Sequence, residues 1–196
     1  MLGSPWWVNL VALVPIVSFL AWRRTGLRLS SSLLIYATVF AAAFGIDEAV
    51  VVVYLRGAVG LLRAAANPDE VLARLPDLFS KAEVVREAST ILMLVAASLL
   101  AVGSPRERWG IFLWMFTLWD IFYYAGLWLL IGWPSSLFTQ DVLFLIPTPW
   151  VAQVWFPVLV SLLAVGAVLL ARAPSLLTGA REELVGSRAK LRRRHR

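Results

Sequence analysis

Residues 109–131 read WGIFLWMFTLWDIFYYAGLWLLI, a run in which most side chains are apolar and one acid, Asp120, lies near the middle. A helix of about 20 apolar residues crosses the roughly 30 Å hydrocarbon core of a bilayer. This run is therefore predicted to be a transmembrane helix. An ionised carboxylate at that depth costs about 2.5–3.5 kcal/mol of insertion free energy. We therefore expect Asp120 either to pair with another side chain or to have a functional role.

Four further apolar runs of similar length accompany this one. The chain has 196 residues and is 60% hydrophobic, whereas soluble domains are about 45–50% apolar. We predict an all-α fold, a polytopic membrane helix bundle of five transmembrane helices, in one membrane domain (1–172) followed by a basic cytoplasmic tail (173–196). The first run is interpreted as a retained helix and not a signal peptide, because Arg23 and Arg24 follow it where small residues would mark a cleavage site. The predicted spans are about 6–22, 32–55, 82–102, 109–131 and 150–171.

Two segments between the spans are predicted to lie at the outer membrane surface. Asn67–Lys81 begins with Asn-Pro-Asp-Glu, a helix-start pattern, and continues with apolar residues at helical spacing. That pattern predicts an amphipathic surface helix. Gly132–Pro149 contains the apolar stretch Val142–Ile146, which is too short to cross and ends at Pro147. We predict that this part is a re-entrant or interfacial segment packed on the bundle, where protein satisfies its backbone polar groups.

The distribution of positive charge predicts the orientation. Most of the eighteen Lys and Arg residues fall in the loops after the first and third spans and in the tail. Cytoplasmic loops are enriched in Lys and Arg, so these segments are assigned to the cytoplasm. We therefore expect a multi-pass protein of the bacterial cytoplasmic (inner) membrane, with its N-terminus outside and its C-terminus in the cytoplasm.

The tail predicts contact with lipid. It ends in Leu-Arg-Arg-Arg-His-Arg, and each basic residue near an anionic leaflet contributes about 1 kcal/mol of binding free energy. The expected partners are the lipid bilayer, with anionic lipids at the tail, and the sequence leaves open protein partners within the membrane. Nucleic acid is not expected as a partner, because no aromatic side chains are interleaved with the basic run.

Composition excludes several kinds of site. The sequence has no cysteine, and its one histidine, His195, lies in the tail. A Ser-His-Asp triad, a histidine-ligated haem within the membrane and a Cys or His metal centre there are therefore excluded. No phosphate-binding loop, dinucleotide-binding fingerprint or His-Glu-x-x-His motif occurs. The sequence identifies no cofactor and no metal, and it leaves open whether the protein is an enzyme.

Acids within or beside the apolar runs are the candidate site. Glu48 and Glu87 lie towards the outer ends of their spans, Asp120 lies mid-helix, and Asp141 enters from the re-entrant segment. Intramembrane ionisable residues are functional candidates by default. We therefore predict that these four carboxylates converge in the outer half of the bundle.

Neighbouring polar residues extend this candidate site. Thr117, Asp120 and Tyr124 have helical spacing that places them on one face. Arg86 is expected to pair with Asp120, Glu48 or Asp141. The predicted binding residues are Glu48, Arg86, Glu87, Asp120, Asp141 and Tyr124.

Three functions fit this pattern. The leading hypothesis is a carboxylate-centred polar site that binds a proton, cation or small polar group in transport or transfer, because a desolvated carboxylate holds a proton near neutral pH and carboxylates bind hard cations. One alternative is a membrane-embedded enzyme with acid/base carboxylates acting on a lipid, isoprenoid or quinone. The other is an accessory subunit of a larger membrane complex, in which the acids are paired with arginines that orient the helices.

Overall fold

The protein is a multi-pass bundle of membrane-length helices. The computed structural model describes residues 3–61 and 76–172, and this part of the chain contains five helices and one two-stranded sheet. Four of the helices are long and apolar enough to cross a membrane. The all-α membrane bundle predicted from the sequence is thus confirmed. The helices are α1 (Trp6–Trp22), α2 (Ser31–Ala58), α3 (Asp77–Ala101), α4 (Pro105–Ile131) and α5 (Trp155–Arg172).

The first helix is shorter than the others. Its seven residues Trp6–Ala12 form a 3-10 helix, and the ten residues Leu13–Trp22 continue as an α-helix. A 3-10 helix rises about 2.0 Å per residue and an α-helix about 1.5 Å. The tighter winding therefore extends α1 to roughly 29 Å, close to the thickness of the hydrocarbon core.

Serine side chains begin two of the long helices. The Ser30 hydroxyl accepts a hydrogen bond from the Leu33 N–H at the start of α2, and Ser104 accepts one from the Glu107 N–H at the start of α4. The Ser104 hydroxyl in turn donates to the Glu107 carboxylate, which satisfies groups that a helix start leaves unpaired. At its other end, α4 stops at Gly132, whose φ of 68° is a left-handed conformation that glycine adopts without strain.

α2 and α4 pack closely against each other. A Cβ at Gly45 would lie 2.5 Å from the Trp119 carbonyl oxygen, and a Cβ at Gly126 would lie 2.8 Å from that of Ala49. Small residues let helix backbones approach closely, which is how helices associate where lipid removes the usual hydrophobic drive. The main core cluster extends from this contact and includes Ala41 and Leu94.

The segment between α4 and α5 is a β-hairpin. Strand β1 (Gln140–Phe144) pairs antiparallel with β2 (Trp150–Gln153), and Ser4 adds a bridge to Val151. The pairing provides hydrogen bonds for backbone N–H and C=O groups that a single extended segment in the membrane would leave unpaired. Residues 150–153 were predicted as the start of the fifth span, and this boundary is wrong. The strand pairing holds these residues extended, so α5 begins at Trp155.

Two ends of the bundle are distinct. The hairpin end holds β1, β2, the start of α3 and the last turns of α2 and α4. The arginine end holds the α1–α2 loop, the α3–α4 turn and the end of α5. There the Leu27 N–H donates to the Ala171 carbonyl, the Arg172 guanidinium donates to the Leu29 carbonyl, and Arg106 contacts Thr25. Consecutive helices therefore alternate in direction.

The predicted surface helix is only partly described. Residues 67–75 of the Asn67–Lys81 prediction lie outside the described residues, as does the basic tail, 173–196. Over the remaining stretch, Pro76 precedes the first turn and the helix starts at Asp77. This part continues directly into the third span, so that span begins earlier than the predicted residue 82.

The α2–α4 contact gives a testable prediction. Replacement Gly45→Ala should lower the free energy of unfolding by about 1–3 kcal/mol, because the added methyl meets backbone and not a flexible side chain. The matched control is Gly166→Ala in α5, where nothing lies within 4 Å of the added Cβ. The control should be neutral or stabilising by up to about 1 kcal/mol. Thermal unfolding in detergent measures both, and equal stability of the two variants would contradict the packing.

Candidate functional site

One partly open cavity is bordered by the predicted site residues. It has a volume of about 160 Å³ and lies towards the hairpin end, between side chains from all five helices and the hairpin. All six residues predicted from the sequence border it. They are Glu48 on α2, Arg86 and Glu87 on α3, Asp120 and Tyr124 on α4, and Asp141 on β1.

Arg86 organises one wall of the cavity. Its guanidinium forms an ion pair with Glu48 and donates two hydrogen bonds to a Glu83 oxygen, at 2.9 and 2.6 Å. Glu48 is a buried residue, and the Thr90 hydroxyl lies 3.5 Å from its second oxygen. Three partners were predicted for Arg86. It pairs with one of them, Glu48, and forms no salt bridge with Asp120 or Asp141 among the described residues. The pair joins α2 to α3.

Glu87 connects α3 to the hairpin. Both of its carboxylate oxygens accept from the Leu145 N–H, at 2.8 and 3.1 Å. Leu145 directly follows β1, where the strand pairing has ended. A buried carboxylate that accepts a backbone N–H satisfies both groups at once. Glu87 therefore holds the end of β1 against the helices.

Asp120 faces the cavity from the middle of α4. One of its oxygens accepts a 2.8 Å hydrogen bond from the Ser161 hydroxyl of α5. The residue keeps partial surface exposure although it lies deep in the bundle, and it borders the cavity. No cationic side chain forms a salt bridge with it within the described ranges. Thr117, predicted on the same face, instead donates to the carbonyls of its own helix.

Asp141 and Tyr124 form the hairpin side of the site. The Tyr124 hydroxyl donates to an Asp141 oxygen at 3.0 Å. Burial raises the pKa of Asp141 from its usual 3.8 to about 6, although nearby Arg56, Tyr124 and the Val142 N–H each act to lower that pKa. Burial disfavours the charged form of a carboxyl group, which is why it prevails here. Arg56 itself lies over the Trp133 ring, 3.8 Å from its centroid.

Aromatic side chains form an aromatic wall of the cavity. Phe144 on β1 lies 6.4 Å from Phe116, 6.4 Å from Trp119 and 5.4 Å from Trp150, measured between ring centroids. All four rings border the cavity. The indole N–H groups of Trp119 and Trp150 are buried and have no hydrogen-bond acceptor among the residues that the structure describes. Buried hydrogen-bond donors normally have an acceptor, so these two indole N–H groups are unusual.

The cavity has an excess of acidic groups. Five carboxylates border it, from Glu48, Glu83, Glu87, Asp120 and Asp141, against the two guanidiniums of Arg56 and Arg86. Among the residues that the structure describes, no three acids stand close enough together to hold a metal ion. The carboxylates are distributed around the cavity and are not gathered into one coordination shell.

Sequence reasoning missed several members of the site. Glu83 could have been found, because it stands three residues before Arg86 on one helix. Arg56, which directly follows the second predicted span, was not among the predicted site residues. Ser161 carries no sequence signal, since a serine in an apolar helix usually bonds its own backbone. Asp47 lies outside the cavity and is exposed, whereas the adjacent Glu48 is buried within it.

Comparisons with protein-family models, with curated proteins and with solved structures find no match for this chain.

Asp141 predicts a defined pH dependence. Its pKa is about 3.8 when unfolded and about 6 when folded, so the folded state binds the proton more tightly. The stability contributed by protonation is complete below pH 3.8 and is lost as the pH rises through about 6. Replacement Asp141→Asn removes this loss. The melting temperature of the variant minus that of the wild type should therefore increase between pH 4 and 7, and a constant difference would contradict the assignment.

Proposed function

We propose that the cavity binds a proton, a cation or a small polar group, with Asp120 at its centre, in a transport or transfer process. The observation that supports this function best is the imbalance of charge, with five carboxylates and two guanidiniums bordering one cavity. Ionised carboxylates lose several kcal/mol of hydration free energy on burial. Protons or an external cation must compensate for the excess.

The hydrogen bonds divide the carboxylates into two groups. Glu48 and Glu83 share the single positive charge of Arg86, and the Arg86–Glu48 pair joins α2 to α3. Glu87 accepts from the hairpin backbone. Asp120 and Asp141 accept only hydroxyl or backbone hydrogen bonds, from Ser161, Tyr124 and the Val142 N–H, and form no salt bridge within the described chain. These two acids are the groups best placed to hold a mobile proton or a bound cation.

Tyr124 supports such a role for Asp141. Its hydroxyl donates to the Asp141 carboxylate, and the hydrogen bond restrains the orientation of that carboxyl group. Asp120 and Asp141 border the same cavity, so their negative charges repel each other when both are ionised. Two such acids therefore favour sharing one proton or one cation. A ligand that enters between them would displace that proton.

An enzyme is the second candidate function. The cavity beside Asp120 is bordered mostly by apolar and aromatic side chains, which suits a lipid, isoprenoid or quinone. Asp120 would then act as a general acid or base, which requires it to lie within hydrogen-bond reach of the reacting group. This function predicts that neutral lipid-soluble compounds stabilise the protein as strongly as cations do.

The accessory-subunit hypothesis predicts acids paired with arginines and a bundle face rich in exposed aromatics. Glu48 meets the first expectation, whereas Asp120 and Asp141 form no salt bridge among the described residues. α2 fits the second, because Tyr36 and Tyr54 on it are more than two-thirds exposed. Asp120 and Asp141 therefore support the carboxylate site, and the exposed face of α2 is the feature that favours a protein partner.

The proposed arrangement includes an orientation. Within the described chain, Arg23, Arg24, Arg28, Arg106 and Arg108 lie at the arginine end or in its first helical turn. Positive charge favours the cytoplasmic side, so the hairpin end and the cavity would face the outside of a bacterial inner membrane. The N-terminus would then be outside and the C-terminus cytoplasmic.

Cysteine labelling tests this orientation, since the natural chain has no cysteine. In intact cells a membrane-impermeant maleimide should label Ser136→Cys, at the hairpin end, and should leave Gly103→Cys, at the arginine end, unlabelled. Both positions are exposed, and no atom lies within 4 Å of a Cβ at Gly103. Labelling of Gly103→Cys should appear only after lysis, and the reverse pattern would invert the proposed topology.

Site variants test the proposed function directly. The melting temperature of the purified protein should change with pH and with added cation, because a site occupied at 100 times its Kd stabilises the fold by about 2.7 kcal/mol. Replacement Asp120→Asn should reduce this change by at least half. Replacement Glu48→Gln should also lower the stability itself, by up to about 3 kcal/mol, because Arg86 loses one of its two partners.

Asp47→Asn is the matched control for these variants. It removes one carboxylate from the same helix as Glu48, but Asp47 is exposed and does not border the cavity. This variant should respond to pH and cations as the wild type does. If Asp120→Asn and Glu48→Gln also behave as wild type, the carboxylate site is rejected.

A further inference from the structure

We infer that the ligand of the cavity is an organic cation, a protonated or quaternary amine that carries an apolar body. This inference rests on the proposed function, because it assigns a chemical class to the cation that the carboxylates would bind. It depends on three features of the cavity: the unpaired acids, the absence of a metal-binding arrangement and the aromatic wall.

The acids that form no salt bridge favour a positively charged ligand in the cavity when they are ionised. Arg86 contacts Glu48 and Glu83, and Arg56 lies against Trp133. Asp120 on α4 and Asp141 on β1 accept hydrogen bonds from hydroxyls and form no salt bridge within residues 3–61 and 76–172. Ionised groups persist in an apolar interior only when they are paired. A cationic ligand would supply that pairing.

A metal ion does not fit this arrangement. Ca²⁺ takes six to eight oxygen ligands and Mg²⁺ demands a near-octahedral shell. Over the described part of the chain no group of three acidic or histidine side chains could hold a metal ion. Each acid also already accepts at least one hydrogen bond from the protein, as Glu87 does from Leu145. The carboxylates are spaced around a cavity of about 160 Å³ and can border a molecule that is larger than a bare ion.

The aromatic wall suits the apolar body and the charge of an amine. Phe116, Trp119, Phe144 and Trp150 form a connected set of rings that borders the cavity. A cation near the face of an aromatic ring, with Trp the strongest, gains about 0.5–2 kcal/mol, and aromatic cages recognise quaternary ammonium groups in this way. The same rings exclude water, which a small inorganic cation would need as additional ligands.

An independent observation also points to an absent ligand. Trp119 is only 7% exposed, and its indole N–H has no acceptor among the described residues, as is also true of the N–H of Trp150. An unsatisfied buried donor costs about 1–3 kcal/mol, so a native site rarely keeps two without a reason. An oxygen atom on the ligand would satisfy these donors.

The test compares a cation with its neutral isostere on the purified full-length protein. Benzyltrimethylammonium and neopentylbenzene have the same shape, and only the first is charged. Benzyltrimethylammonium should raise the melting temperature by several degrees at saturation, whereas neopentylbenzene, K⁺ and Mg²⁺ should raise it much less. Asp120→Asn and Phe144→Leu should each remove most of the response to the ammonium compound.

Matched controls identify the site. Asp47→Asn and Phe40→Leu lie on α2 outside the cavity and should keep the full response. Equal stabilisation by neopentylbenzene, or a response that survives in Asp120→Asn, would overturn the organic-cation assignment. Stronger stabilisation by K⁺ or Mg²⁺ that Asp120→Asn abolishes would also overturn it while supporting the proposed function. No response to any cation or to pH would overturn both.

Discussion

The ion pair between Arg86 and Glu48 is the interaction on which the cavity depends. Both residues lie on membrane-length helices where water is scarce, so each charge would be costly without the other. Arg86 also holds Glu83, and the next residue, Glu87, bonds the end of β1. One turn of α3 therefore connects α2, the hairpin and the charged wall. Removing the cation would leave two buried acids without compensation and would loosen the wall that positions the others.

The close packing of α2 against α4 supplies the rigid side of the same cavity. Gly45 and Gly126 bring the two backbones together, and this contact fixes the rotation of both helices about their axes. The rotation directs Glu48 and Asp120 inwards and leaves Asp47 on the outside. Small residues thus determine which acids are buried, although they carry no chemistry themselves. Stability and site geometry are linked because both depend on how closely these helices approach.

The hairpin completes the cavity, so the site is built from both helices and strands. It contributes Asp141 to the charged side and Phe144 and Trp150 to the aromatic side. Its strands satisfy each other's backbone groups, so a non-helical segment can lie against the helices without exposing polar atoms to lipid. The segment was recognised in the sequence because proline interrupts a short apolar run. Its strand pairing was not, since five apolar residues fit a strand, a helix end or an interfacial loop equally well.

The sequence by itself determined the membrane class, the approximate spans and the small set of acids that would be costly in an apolar bundle, because length and hydropathy act locally and need no knowledge of packing. Only the tertiary structure decided the partners. It paired Arg86 with Glu48 and Glu83, Ser161 with Asp120 and Tyr124 with Asp141. A helix that is apolar on all sides has no polar face to reveal its rotation, and adjacent residues such as Asp47 and Glu48 point about 100° apart. Which of them faces a cavity is settled by the neighbouring helices.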